Sequence, residues 1–396
     1  MNTFTKQRIL SVDIFRGVTI FVMMFVNDVA SVKSLPWWTY HIPPGVQGIT
    51  YVDVVFPAFL FIVGMMIPPA INKRLSQNTS IPRLLYHIIV RSLSLVAMGI
   101  LIMNGRQLYP EASHISYALW NVLMFISVIL LWNNYPKSEG KKKIIFNILK
   151  WSGLVILLIL LFIYRRKAGD EIKWIDPKNS SILGGIGWAY LSASLIYLIF
   201  SRRFWILVFV FALLVALNVF SKIGWLSFVE DIPEILWPVR SGSLASIAMA
   251  GVIGSRIFLT NELTHDLRQK LVWGLGFSAI LFFLGWVLLP FGLAKIGSTP
   301  SWCMISSGIS VLMFILLYWL VDIKGFSSWA KFLKPAGSNP LLTYLLPDIY
   351  YAIFTLYHFS GIAGEGWPGV IRGILFSFFI VGCSGILTRL NVRLQL

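Results

Sequence analysis

The chain has 396 residues, of which 57% are hydrophobic and 12% charged, against about 25% charged in an ordinary soluble domain. That composition excludes a soluble globular enzyme. The net charge of +17 would suit a nucleic-acid partner, but the basic residues fall between apolar runs, so membrane lipid is the expected partner and nucleic acid is not.

A hydrocarbon core about 30 Å thick takes about 20 apolar residues per helix. Twelve segments of that kind follow one another at 14–33, 50–71, 84–104, 115–133, 144–164, 182–200, 204–220, 242–260, 271–291, 302–321, 338–357 and 368–388. The expected fold is an all-α polytopic membrane helical bundle of about twelve spans, ten at the least, forming one transmembrane domain over residues 1–396. The first segment is too long for the apolar part of a signal peptide and is expected to be retained. With the N-terminus inside and the spans alternating, 22 of the 33 lysines and arginines fall on one side. This is the positive-inside bias. It puts both termini in the cytoplasm, implies the cell inner membrane, and turns the loop after the first span outward. Arg165, Arg166 and Lys167 go against it, though Asp170, Glu171 and Asp176 follow in the same loop.

The loop between the first two spans holds the densest polar cluster of the chain. Asn27 and Asp28 end the first span, His41 lies in the loop and Asp53 opens the second span. Trp37, Trp38, Tyr40 and Tyr51 surround them. Ionisable groups at a hydrocarbon edge are costly and mark function by default. A neutral imidazole serves as a general base near pH 7 or as a nucleophile. An aspartate beside it fixes its tautomer, and an asparagine amide stabilises an oxyanion. Structural roles compete at each position: His41 in an aromatic belt, Asn27 as a helix C-cap, Asp53 as an N-terminal helix charge. Asp13 and Arg16, one turn apart, read as a structural ion pair.

Later in the chain, Asn339 and Asp348 fall in one span. Each either lines a substrate path, together with Asp28, Trp38 and Tyr40, or cross-links helices. Gly and Ser recur in the later spans, as in SGSLASIAMAGVIGS, and serve close helix packing. Cys303 and Cys383 fall in spans, so neither a disulfide framework nor a metal site is expected. His87, His114, His265 and His358 are scattered without metal-ligand spacing. No nucleotide-binding glycine motif is present.

The run RILSVDIFRGVTIFVMMFVND, followed by YHIPPGVQGITYVDVVFPAFLFIVG, resembles the membrane domain of the heparan-α-glucosaminide N-acetyltransferase family and its bacterial relatives. The shared elements are S-V-D-x-F-R-G, F-V-N, a loop histidine and D-x-V-F-P-x-F-x-F-I-x-G. VRSLSLVAMGILIMN, with Arg91, and GSNPLLTYL extend the likeness. The strong part covers residues 9–104. The resemblance implies transfer of acetyl from cytoplasmic acetyl-CoA, across the membrane, to a sugar amine. It carries the active-site histidine to His41, the span-end asparagine to Asn27 and the span-opening aspartate to Asp53. Coenzyme A phosphates call for cations, for which Arg83, Arg91, Lys331 and Lys334 are the candidates. The resemblance also makes a homodimer a candidate assembly. The loop here is longer, with Pro43, Pro44 and Gly45, Asp28 replaces an aromatic, and no counterpart of the animal enzyme's large external domain is expected. These departures leave the acceptor open between an amino sugar and another glycan. Two alternatives stand beside this reading: O-acetylation of a polysaccharide, and a secondary transporter or flippase for a glycan. The latter calls for inverted repeats and paired broken helices, neither of which is visible.

Overall fold

The computed structural model describes residues 9–178, 180–230, 232, 237–260, 266–357 and 364–394. His265 and His358, named above, lie outside the described residues. Twelve long helices carry the chain: α1 (Leu10–Val29), α2 (Tyr51–Ser76), α3 (Ile81–Gly105), α4 (Tyr117–Trp132), α5 (Gly140–Ile163), α6 (Ile182–Phe200), α7 (Phe204–Ile223), α8 (Ser243–Phe258), α9 (Leu267–Val287), α10 (Pro300–Leu317), α11 (Pro340–Leu356) and α12 (Gly366–Arg389). Each falls on one of the twelve apolar segments. The protein is an all-α polytopic bundle. Among the described residues, nine of these helices, counting α10 with its π-helical extension to Ile323, are long and apolar enough to cross a membrane. α4, α8 and α11, with 16, 16 and 17 residues, are shorter apolar helices.

Among the described residues, a small departure from all-α structure lies between α5 and α6. Strands β1 (Arg166–Ala168) and β2 (Glu171–Lys173) form an antiparallel hairpin, turned at Gly169, whose φ is +64°. Asp170 at the next position completes a turn suited to such chemistry. The hairpin accommodates the basic run that defied the charge bias. Arg166 pairs with Asp176 at 3.2 Å and Lys173 with Glu171 at 2.7 Å. Asn104, wholly buried at the end of α3, holds the segment after it by accepting from the Asp176 amide (2.9 Å) and donating to its carbonyl (3.1 Å).

The centre of the bundle is the crossing of α2 and α8. Every residue of α8 in the stretch Ala245–Phe258 is buried. The small residues of this helix act in packing. A Cβ built on Gly251 would sit 2.0 Å from the Phe61 carbonyl oxygen, and one on Gly64 would sit 1.9 Å from that of Ala248. The two backbones therefore touch, the arrangement that small residues permit between membrane helices. α1 is anchored at its start by a partner far along the chain: Asp322, beyond α10, accepts from the amides of Leu10 (3.0 Å) and Ser11 (3.2 Å). A carboxylate on free amides at a helix N-terminus satisfies donors the helix itself cannot.

Gly251→Val is expected to lower the thermal unfolding midpoint in detergent strongly, since overpacking of this kind costs about 1–3 kcal/mol and sometimes more. Gly276→Ala, where a Cβ meets nothing within 4 Å, serves as its matched comparison and is expected to leave the midpoint unchanged or raised. Equal midpoints for the two variants would contradict the backbone contact.

Candidate active site

The loop between α1 and α2 is held by its own polar groups. The Tyr40 hydroxyl donates to the Val32 carbonyl at 2.6 Å and accepts from the Leu35 amide at 3.3 Å. Trp37–Thr39 form a single 3-10 turn, and Trp38 lies against Tyr51 with ring centroids 6.2 Å apart. The Thr50 hydroxyl lies 2.9 Å from the Tyr40 carbonyl. Trp38 and Tyr40, expected on a substrate path, thus shape the loop.

Asp53 is where this loop meets α2. Thr50 and Asp53 form a capping box, the reciprocal arrangement that satisfies free amides at a helix start. Asp53 Oδ2 accepts from the Thr50 amide at 3.2 Å and lies 3.4 Å from the Ile42 amide. Its other oxygen, Oδ1, is 2.7 Å from Nδ1 of His41. The carboxylate is 1% exposed while the imidazole is 40% exposed. A carboxylate accepting from Nδ1–H leaves Nε2 as the atom with a free lone pair in the neutral ring. One buried aspartate therefore caps a helix start and contacts the histidine ring through its other oxygen.

A second loop, between α9 and α10, completes the cluster. Its Leu293 carbonyl accepts from the Gly48 amide at 2.7 Å, and its Leu293 amide donates to the Gln47 side chain. Trp302 Nε1 donates to the Asp53 carbonyl at 3.3 Å. These bonds hold Lys295, whose Nζ is 3.2 Å from both ring nitrogens of His41. Burial pushes the Lys295 ammonium below the usual lysine range, and the nearby Asp53 charge partly restores it. Lys295 is 254 residues from His41 in sequence. Its one sequence signal is a lone lysine on the face that the charge bias leaves poor in cations.

The other candidates are spread more widely. Asn27 is exposed and lies on the α1 stripe of Arg16, Ile20 and Met23, spaced at helical intervals. Asp28 turns the other way. It is buried, 3.0 Å from Nη2 of Arg372, and accepts from the Tyr351 hydroxyl. It thus ties α1 to α11 and α12. Asn339 is likewise a clamp: it donates to Thr388 (3.0 Å) and the Val392 carbonyl (2.8 Å) and accepts from the Leu394 amide (3.2 Å). Asp348 lies 3.4 Å from Arg106.

Towards the other end of α1 lies a cavity of about 310 Å³ lined by Arg16, Ile20, Met23, Phe59, Val63, Arg91, Tyr190, Ser338 and Tyr344 among others. The Arg91 guanidinium stands 4.7 Å from the Tyr190 ring centroid. Arg16 reaches 2.7 Å from Asp13, the expected ion pair, and also lines this cavity, a role its spacing did not disclose. Arg83, Lys331 and Lys334 are exposed and off its lining. Above the cavity, Met23, Val26, Val52 and Val55 form a buried apolar cluster between it and the first turn of α2, which carries Asp53. The polar cluster and the cavity thus share the α1–α2 pair and are separated by this apolar layer. Among the described residues, no three His, Cys, Asp or Glu side chains gather as a metal site.

Fold and site together define a multi-pass helical membrane protein with a histidine–aspartate pair at one end of its first two spans. Residues 8–240 match the family described as a domain of unknown function (DUF5009), and the chain belongs to that family. It is also homologous, over part of its length, to heparan-α-glucosaminide N-acetyltransferase. The human protein is 38% identical over 97 residues, which are 24% of this chain and 14% of that protein. The mouse protein is 35% identical over 100 residues, 25% and 14% of the respective lengths. The resemblance read from the sequence therefore stands as homology, and the matched part spans about one seventh of those relatives.

The amine of Lys295 is expected to titrate below the exposed lysines when lysines are 13C-methylated and followed by NMR. Asp53→Asn removes the charge that favours the ammonium and leaves burial acting alone, so the midpoint is expected to fall further. A Lys295 midpoint equal to the bulk lysines, or one raised by Asp53→Asn, would contradict this geometry.

Proposed function

We propose that this protein is a transmembrane acetyltransferase, which takes acetyl from cytoplasmic acetyl-CoA and delivers it to an amino sugar or related glycan on the outer face of the cell inner membrane, with both termini cytoplasmic. The observation that carries the reading is the 2.7 Å contact between His41 Nδ1 and the buried Asp53, on a half-exposed imidazole in a homologue of acetyltransferases.

In this reading acetyl-CoA is a substrate, and its phosphates meet Arg16 and Arg91 at the mouth of the 310 Å³ cavity. Guanidinium groups suit phosphate by geometry and charge. The thioester passes up the α1 stripe towards Asn27, through the layer of Met23, Val26, Val52 and Val55. Nε2 of His41 takes the proton from the acceptor nitrogen as that nitrogen attacks the thioester carbonyl. The carbon–sulfur bond breaks, coenzyme A leaves as the thiolate, and the proton returns to it through the imidazole. Asp53 holds the ring and stabilises its protonated form. The Asn27 amide and the Lys295 ammonium supply charge-stabilising donors for the oxyanion. The same geometry serves a hydroxyl acceptor, and the acetylated product separates the two: an amide survives mild base and an ester does not.

His41→Ala is expected to reduce transfer of labelled acetyl from acetyl-CoA to a glucosamine-type acceptor by at least about 100-fold, the lower end for loss of a general base. Transfer at the parent rate would remove His41 from the chemistry. Arg91→Gln is expected to raise the KM for acetyl-CoA by about 10-fold or more, from the loss of a charged hydrogen bond worth about 1.5–3 kcal/mol, with kcat within a factor of two. A fall in kcat at unchanged KM would place Arg91 elsewhere in the cycle.

A further inference from the structure

α7 and α9 are among the least enclosed helices of the bundle. They run parallel, since Trp205 meets Trp273 at 6.4 Å between centroids and Phe211 meets Phe277 at 6.5 Å. Between them lies an apolar groove of about 640 Å³, floored by Ile253 and Ile257 of α8. It extends from Phe204 to Phe220 on α7, about 24 Å at 1.5 Å per residue, long enough for an extended fatty acyl chain. At one end of the groove the character changes. Arg202 and Arg203 immediately precede α7, Arg268 is the second residue of α9, and all three are exposed. Lys270 follows two residues further on. The carboxylate described beside them, Asp266, is engaged at the start of α9, where it accepts from the Gln269 amide at 2.7 Å.

We propose that this groove is a binding site for an anionic phospholipid, with an acyl chain along α7 and α9 and the phosphate at the arginine-bearing end. Guanidinium groups pair with phosphate, helix N-termini add donors and favourable dipoles, and the paired tryptophans sit where aromatic rings settle between headgroup and hydrocarbon. A second copy of the chain fits the groove poorly. A two-fold axis along the membrane normal would bring both sets of arginines to one level, and like charges facing each other oppose association. A zwitterionic lipid would fill the apolar part but leave the cluster of positive charge unmatched.

Native mass spectrometry of the full chain in detergent, with phosphatidylglycerol and phosphatidylethanolamine added at equal concentration, tests the site. The parent is expected to retain phosphatidylglycerol at least five-fold over phosphatidylethanolamine. Arg202→Gln/Arg203→Gln/Arg268→Gln is expected to bring the ratio close to one, while Lys141→Gln/Lys142→Gln/Lys143→Gln at the start of α5 keeps the parental ratio. Equal retention in the parent, or an unchanged ratio in the arginine variant, would overturn the proposal. A second measurement needs no arginine change. Phosphatidylglycerol brominated on its acyl chains is expected to quench tryptophan emission more than the brominated phosphatidylethanolamine, and Trp205→Phe/Trp273→Phe to remove that excess. Equal quenching by both lipids in the parent would also overturn it.

Discussion

The arrangement of the loop that joins α1 to α2 depends on one buried carboxylate. Asp53 is 1% exposed, and a charge in that position is tolerable only when its oxygens are satisfied. The Thr50 amide and the His41 ring meet that need. The same bonds start the helix, close the loop and orient the imidazole. Removing the carboxylate would therefore affect helix start, loop and ring at once. Trp302 and the bonds that Leu293 accepts from Gly48 and donates to Gln47 then add the α9–α10 loop to the same point, which is how Lys295 comes to stand beside the ring.

The distance between this cluster and the arginine-lined cavity frames the functional problem. Asn27 lies eleven positions along continuous helix from Arg16, about 16 Å, and the cavity reaches Met23 and Phe59. The remaining step is filled by valine and methionine side chains. Methionine is flexible and polarisable, a side chain that adapts to irregular occupants. An apolar layer of such side chains stands between the arginine-lined cavity and the His41–Asp53 cluster.

Much of the fold was legible because the membrane imposes a length. Each of the twelve apolar runs is a helix, and the charge pattern at 165–176 was legible as an exception before the hairpin explained it. His41 and Asp53 were legible as a pair because the loop that carries His41 runs directly into the span that Asp53 opens. What escaped the sequence was contact over long separations. Asp28 looked like a member of the outer cluster, but Arg372 and Tyr351, more than 300 positions away, claim it as a clamp. For Asn339 the sequence left cross-linking open beside a substrate path, and its bonds to Thr388 and Val392 make it a cross-link. Lys295 had no local pattern to announce it, and the helical spacing of Asp13 and Arg16 explained Arg16 so fully that its place on the cavity wall stayed hidden. Shared faces follow from periodicity, whereas partners across the bundle follow only from packing.

The central claim is vectorial: the donor is met at one face and the acceptor at the other. Purified protein in sealed, oriented proteoliposomes, with labelled acetyl-CoA on the Arg16 side and an impermeant amino sugar on the His41 side, tests it most directly. The account predicts labelled acetyl-sugar on the His41 side, with free coenzyme A released on the side of the donor. Product formed only when both substrates share one side of the membrane, or no acetyl-sugar with any arrangement of the two, would contradict it.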